Sequence, residues 1–383
     1  MAKDLKLLIL TVVMGIAVCT LGAVMLLGLG AGEKDQAAEP EQAEATEPAA
    51  EETAELETTL FFTSDYQKDD QGEPKDNLTG IINAVKADKS DLDGAIFCGD
   101  YSNVPGMSSY QITPENAISE IKEVMNGAYP DLMDEDMVFI QGNHDALTIS
   151  IEAPGLHEFD DYLVYVNNAE IDFPWQQGKT ANSHYKVKHT AEVMKRCFDS
   201  LIEKGETRPV IVVQHVPLHF TARTSSLKGT GDNLYASLVF DVVNEAAKDL
   251  NIIYVTGHNH SAGWDNYIGG ACYFLKPGDT ILIPDFDRNK ITTDSYKTET
   301  VNFTYLNAGY TGYSKSGGTD DTLTGTVCEI YDTKFVFTRY SSDGVHQMGS
   351  TGTACGDPDD TGLISSEYYT KQKDSPQEIE RRQ

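Results

Sequence analysis

Met137-Val138-Phe139-Ile140-Gln141-Gly142-Asn143-His144-Asp145 is the stretch on which the reading of this chain turns. Four consecutive apolar side chains suit a short strand buried on both faces, and the run stops at a glycine followed by three residues able to bind a metal or carry a proton. The same pattern recurs on either side of it. Leu60–Thr63 runs into Ser64-Asp65-Tyr66-Gln67, and Ala95–Cys98 into Gly99-Asp100. Val210–Gln214 runs into His215, and Ile252–Thr256 into Gly257-His258-Asn259-His260. Ligands of open α/β sheets collect at the carboxyl ends of strands, so the five segments are expected to converge on one site. Gly99, Gly142 and Gly257 would let the backbone turn closely beneath it.

Between these strands the apolar spacing lengthens to that of helices. Leu78–Ala87, Pro114–Met125, Ala191–Glu203 and Leu234–Lys248 each place their apolar residues on one side, and Pro114 suits the first turn of a helix. The alternation predicts an α/β domain with at least five strands. From about residue 271 the long helices stop, and Ala271–Leu275, Thr280–Ile283, Val301–Leu306, Gly325–Tyr331 and Phe335–Tyr340 read as strands of a second, mostly antiparallel sheet. Residues 146–190 show little periodicity despite Phe159, Tyr162, Tyr165, Phe173 and Trp175, and read as a lid or insertion.

Taken singly, each element has a plain reading. Asp65 and Asp100 suit helix caps or turns, 143–145 an ordinary polar loop, and His215, near Pro217, a loop histidine. Five such coincidences in succession argue for a site. Carboxylates can bridge two cations while imidazole and amide oxygen complete each shell, so the chemistry suits two divalent ions holding a phosphoryl group.

In this order the motifs resemble those of the calcineurin-like metallophosphoesterase superfamily, DxH, GDxxD, GNHD/E, an isolated His and GHxH. The likeness covers Leu56 to Tyr340, with the GNHD and GHxH segments matched in full. It implies a four-layer α/β/β/α sandwich of two mixed sheets with a dinuclear site at the strand ends. It further implies that Asp65 and His260 bind the first metal, that Asp100 bridges both, and that Asn143, His215 and His258 bind the second. The metals would be Mn, Fe or Zn. His144 would bind phosphate or protonate the leaving oxygen, and Asp145 would support the loop. The implied reaction is hydrolysis of a phosphate ester or phosphoanhydride by an activated hydroxide; the alternative is a catalytically weak surface binding protein on the same fold.

Two positions depart from the pattern. Gln67 stands where the family has the His of DxH; it would be a weaker ligand, and the substitution resembles the manganese-dependent ADP-ribose/CDP-alcohol diphosphatase branch. Asn103 replaces the last Asp of GDxxD, whose carboxylate would balance the charge of His144; by sequence, Asp145 is a candidate to help.

Outside this domain, assigned to 58–345, the chain is simpler. Leu5–Leu29 is long and apolar enough for a bilayer-crossing helix, flanked by Lys3 and Lys6 on one side and acidic residues on the other. Residues 1–32 are therefore expected to anchor the chain in the cell membrane with the catalytic domain outside the cytoplasm, or to act as a cleaved signal for secretion. Residues 33–57 hold ten acidic residues and one Lys and read as a solvated spacer; 346–383 read as an extension with a disordered tail from about Lys371. The net charge of −31 argues against binding a nucleic-acid polymer and leaves a small phosphorylated substrate, a nucleotide among the candidates. Six cysteines without CxxC spacing imply no dense disulfide framework.

Overall fold

Along β1 (Leu56–Thr63) alternate side chains serve different layers: Leu60 and Phe62 face a core between two sheets, and Phe61 faces a second core under helices. That alternation, repeated strand by strand, builds the molecule. The computed structural model describes residues 54–68, 74–102, 113–142, 144–145, 150–167, 181–218, 236–258, 260, 274–284, 296–312, 323–345 and 376–382.

The first sheet carries β2 (Gly94–Phe97) and β3 (Met137–Phe139) parallel to β1. On the other side of β1 it continues antiparallel through β13 (Thr324–Tyr331), β14 (Lys334–Ser341) and β15 (Gly344–Val345). Helices α1 (Pro74–Asp88) and α2 (Pro114–Ala128) cover its outer face. Thr113 caps α2, accepting the Asn116 amide, with Pro114 in the first turn as expected.

The second sheet runs β4 (Gly155–Glu158), β5 (Leu163–Val166), β6 (Val210–Gln214), β7 (Ile252–Thr256), β11 (Thr304–Asn307) and β8 (Phe274–Leu275). β5, β6, β7 and β11 are parallel. On its outer face lie α3 (Ala181–Glu203) and α4 (Ala236–Ala246), which bury Met194, Phe198, Val239 and Val243 against Val210, Val212 and Tyr254. The alternate residues Ile211, Val213, Ile253 and Val255 point inward and meet Leu60, Ile96, Cys98 and Val138 of the first sheet. A ribbon of β9 (Thr280–Pro284) and β10 (Tyr296–Thr300) stands apart from both sheets. Three cores between four layers make the expected α/β/β/α sandwich.

Some expectations change. Leu163–Val166, within the stretch read as a lid, is a fully buried strand of the second sheet, while 168–180, with Phe173 and Trp175, lies outside the described residues. Helix α3 begins ten residues before the expected Ala191. The tail is not wholly disordered: β16 (Gln377–Glu380) pairs with β14, burying Gln377 and Ile379 and exposing Glu378 and Glu380. Arg381 then pairs with Glu57, and the Arg382 amide donates to Asn251 Oδ1 at 2.8 Å, so the C-terminus is tied to both sheets. Cys98, Cys197 and Cys328 are free thiols.

The expected membrane anchor is not borne out by the described residues. Among the described residues no helix is long and apolar enough to cross a membrane. The longest, α3, has 23 residues but carries Lys188, Glu192, Lys195, Arg196 and Asp199. Leu5–Leu29 lies outside the described residues. The single-pass topology, the membrane as partner and the placement outside the cytoplasm rested on that segment, and nothing among the described residues supports them.

Candidate metal centre

Parallel pairing brings the strand ends to one edge. Thr63 stands beside Phe97, Phe97 beside Phe139, and Gln214 beside Thr256, so the residues that follow them leave the sheets together. Hydrogen bonds then tie the two sheets across this edge. His215 Nδ1 lies 2.6 Å from the Cys98 carbonyl, the His258 amide donates to Asp65 Oδ2 at 2.8 Å, and Ser64 Oγ donates to the same carboxylate at 2.6 Å. The Gly257 amide donates to the His215 carbonyl at 2.9 Å.

The backbone here is held in a conformation that residues with side chains rarely adopt. Among the described residues, positive φ outside glycine occurs at Asp65 (52°), Gln67 (42°), Asp100 (60°), His258 (72°) and His260 (49°). All five are residues that the motifs single out as ligands. Such strain persists only where the surroundings enforce it, and it gathers at functional sites.

Asp100 is central and fully buried. His215 Nε2 stands 3.2 Å from its Oδ2, His144 Nε2 3.8 Å and Gln67 Nε2 3.5 Å, while the His144 amide donates to Oδ1 at 2.8 Å. Burial opposes ionisation of this carboxyl, but His215, with His144 and His258, outweighs it and holds the group well below the usual carboxylate range. Because a carbonyl only accepts, the His215 contact to Cys98 places a ring hydrogen on Nδ1, so Nε2, facing Asp100, is the nitrogen at which a cation could replace a proton.

These residues fit a cation. Asp100, His215 and His258 each offer a ligand atom, all within 4.8 Å of one another, and one carboxylate with two imidazoles is a donor set for a divalent transition metal. Beside them Asp65 Oδ1, fully buried and accepting no hydrogen bond, lies 3.1 Å from His260 Nε2. Gln67 faces the same carboxylate as His215, and rotating its amide by half a turn would present oxygen instead of nitrogen.

Other sequence-derived roles are resolved differently. Asp145 does not balance His144: its carboxylate accepts the backbone amides of Asp100, Tyr101, Ser102 and Gly142, and so shapes the two ligand loops. Tyr162 is buried and stacked on Phe159 with centroids 4.6 Å apart. Asn143 and Asn103 lie outside the described residues.

Three supports escape the motifs. The Cys98 carbonyl orients His215; Tyr66, between Asp65 and Gln67, donates to Glu120 of α2 at 2.7 Å; and Tyr310 stacks on His260. A backbone carbonyl has no sequence signal, and the two tyrosines read only as core residues.

No protein-family model matches the sequence, and no curated protein matches it. Among solved structures, the chain is similar to a dimetal phosphatase from Danio rerio at 10% identity, covering 76% of this chain and 98% of that one, with a TM-score of 0.44. A conserved uncharacterized protein of Streptococcus pneumoniae, a predicted phosphoesterase, shares 13% identity over 76% of this chain and 92% of its own, with a TM-score of 0.32. The phosphoesterase YfcE of E. coli shares 11% identity over 73% and 91%, with a TM-score of 0.28. The layer order and the Asp–His–His cluster at the strand ends, taken on their own geometry, are those expected of the calcineurin-like metallophosphoesterase fold.

Proposed function

We propose that this chain hydrolyses a phosphate ester or phosphoanhydride of a small molecule, using two divalent cations held side by side. The observation that carries the proposal is the Asp100–His215–His258 cluster with Asp65 and His260 directly beside it. In this reading His215, His258 and Asn143 would hold one cation and Asp65, Gln67 and His260 the other, with Asp100 serving both. Cations at these positions supply positive charge against which phosphoryl oxygens bind and water is made more acidic.

The protein's own groups do the rest. Asp100, kept ionised beside His215, turns Oδ2 towards both His215 and Gln67, one from each half of the site. The His144 amide is tied to Asp100, which carries its ring, a quarter exposed, to the solvent side of the cluster. There Nε2 can pass a proton to the departing oxygen as the bond from phosphorus to that oxygen breaks and the water oxygen adds in line. With Asp145 engaged by backbone amides, His144 depends on Asp100 for a neighbouring negative charge. A diphosphate or aryl ester, whose leaving oxygen needs little protonation, is the substrate class this favours.

The test uses the full chain stripped of metal, because Gln377–Glu380 completes the first sheet. Mn, Fe and Zn are added back in turn against an aryl phosphate monoester, an aryl diester and an ADP-ribose-like diphosphate. At least one pair should give turnover, and Asp100→Asn should lower it roughly 100-fold or more, as expected on losing a group central to the metal site. Turnover indifferent to Asp100→Asn would sink the reading, and silence with every metal and substrate would favour a binding protein.

A further inference from the structure

We propose that Tyr310 is the positioning residue of His260, holding the imidazole ready for the cation shared with Asp65; the inference rests on the two-cation reading above. The rings are stacked, with centroids 5.6 Å apart and planes 14° from parallel. Tyr310 is only 2% exposed, whereas the His260 side chain is 20% exposed. An exposed imidazole turns freely about its two side-chain torsions, and each orientation puts Nε2 elsewhere. Against a fixed aromatic face that freedom shrinks, and Nε2 stays 3.1 Å from Asp65 Oδ1.

Tyr310 is fixed by the turn that carries it. Residues Gly309–Tyr310 form the short strand β12, paired with β13 so that Tyr310 faces Thr324. Gly309 has φ +98°, and a Cβ on it would come within 2.4 Å of the Thr324 carbonyl and 2.6 Å of Arg339 Nη1, so only glycine permits this approach. Preceding it, Asn307 accepts two hydrogen bonds from the buried Arg339 Nη2, at 3.0 Å to its carbonyl and 2.8 Å to Oδ1, and Oδ1 also accepts the Gly309 amide at 3.0 Å. Beyond Tyr310 the chain returns to the other ligand. The Thr311 amide donates to the Ser64 carbonyl at 3.2 Å and the Gly312 amide to the Asp65 carbonyl at 2.7 Å.

One segment, Asn307–Gly312, therefore braces Asp65 through its backbone and His260 through a ring. This is the half of the site in which Gln67 replaces a stronger imidazole donor. A ligand already oriented loses less freedom on binding, which offsets part of that weakness.

The experiment titrates Mn into the metal-free full chain by calorimetry for wild type, Tyr310→Leu and Tyr310→Phe, and records the His260 ring protons by NMR. The wild type should take up two equivalents, and its His260 protons should be shifted upfield by the tyrosine ring. Tyr310→Leu should keep one equivalent at wild-type affinity, bind the other at least tenfold more weakly, and lose the upfield shift. Tyr310→Phe should restore both. Two tight equivalents in Tyr310→Leu, or a Tyr310→Phe protein as weak as the leucine variant, would overturn the inference while leaving the two-cation reading intact. An unshifted His260 in the wild type would overturn it even if the leucine variant failed to fold. A wild type that binds fewer than two equivalents overturns both, and identifies the two-cation reading as the part that failed.

Discussion

A Cβ on Gly257 would stand 1.8 Å from the Ser64 hydroxyl oxygen and 2.8 Å from the Ser64 Cβ. The two residues lead the ligand loops of different sheets, so their approach sets how closely His258 and Asp65 face each other. Gly257→Ala must push Ser64 aside and break its hydrogen bonds to Asp65 Oδ2 and the Cys98 carbonyl. Overpacking of this kind costs about 2–3 kcal/mol. Removing the obstacle in the double variant Ser64→Gly/Gly257→Ala should return part of that, with a coupling of about 1 kcal/mol in urea unfolding. Rescue should be partial, because the Cys98 carbonyl would still lie 3.0 Å from the new Cβ. Strictly additive effects would show that the crowding does not matter.

Asp145 organises the site without facing a ligand's side chain. Its Oδ2 accepts the amides of Asp100 at 2.7 Å and Gly142 at 2.9 Å, and Oδ1 those of Tyr101 at 2.8 Å and Ser102 at 3.3 Å. In Asp145→Asn one oxygen becomes an NH2 group that meets two backbone donors. Leaving buried donors unmatched costs about 1–3 kcal/mol each, so the variant should lose about 2–4 kcal/mol of stability. Its divalent-metal affinity should fall too, since Asp100 would no longer be held at φ 60°. An unchanged melting temperature would refute this account of the residue.

How much of this was readable beforehand follows the physics of each element. Strands buried on both faces are continuous apolar runs, so Ile252–Thr256 and Val210–Gln214 announced themselves, and the polar residues after them marked the site edge. Leu163–Val166 is as short as Ala95–Cys98, but it lies in an aperiodic stretch and no ligand motif follows it to mark a strand end. Gln377–Glu380 is an edge strand with one large apolar residue, Ile379, and its composition resembles that of a tail. Leu5–Leu29 lies outside the described residues, so the anchor expected from its apolar length finds no helix to support it. At the site, residue types carry the chemistry, so Asp100, His215 and His258 were legible. The left-handed backbone at five ligands was not, because φ at a non-glycine is imposed by tertiary contacts. Nor was the stacking of Tyr310 on His260, which joins a short strand to a loop fifty residues away in sequence.

Far from the site, the loop between α3 and β6 is closed by a forked ion pair whose pH dependence can be worked out. Glu206 Oε2 accepts from Arg208 Nη2 at 2.8 Å and Oε1 from Nε at 2.9 Å, while Arg208 Nη1 donates to the Phe159 carbonyl at 2.7 Å. The hydrogen-bonded Arg208 draws the Glu206 carboxyl from 4.5 down to about 2. A carboxyl that is more acidic in the folded state stabilises fully above its unfolded value, and that contribution is lost as pH falls through the folded one. Because solvent reaches both partners, the contribution is about 1 kcal/mol. Glu206→Gln should therefore be less stable than wild type by that amount at pH 6 in urea unfolding, and the gap should shrink by more than half by pH 3 as the carboxyl of the unfolded wild-type chain takes up its proton. A gap that stays constant between pH 6 and pH 3 would mean that Glu206 acts through its neutral hydrogen bonds and not through its charge.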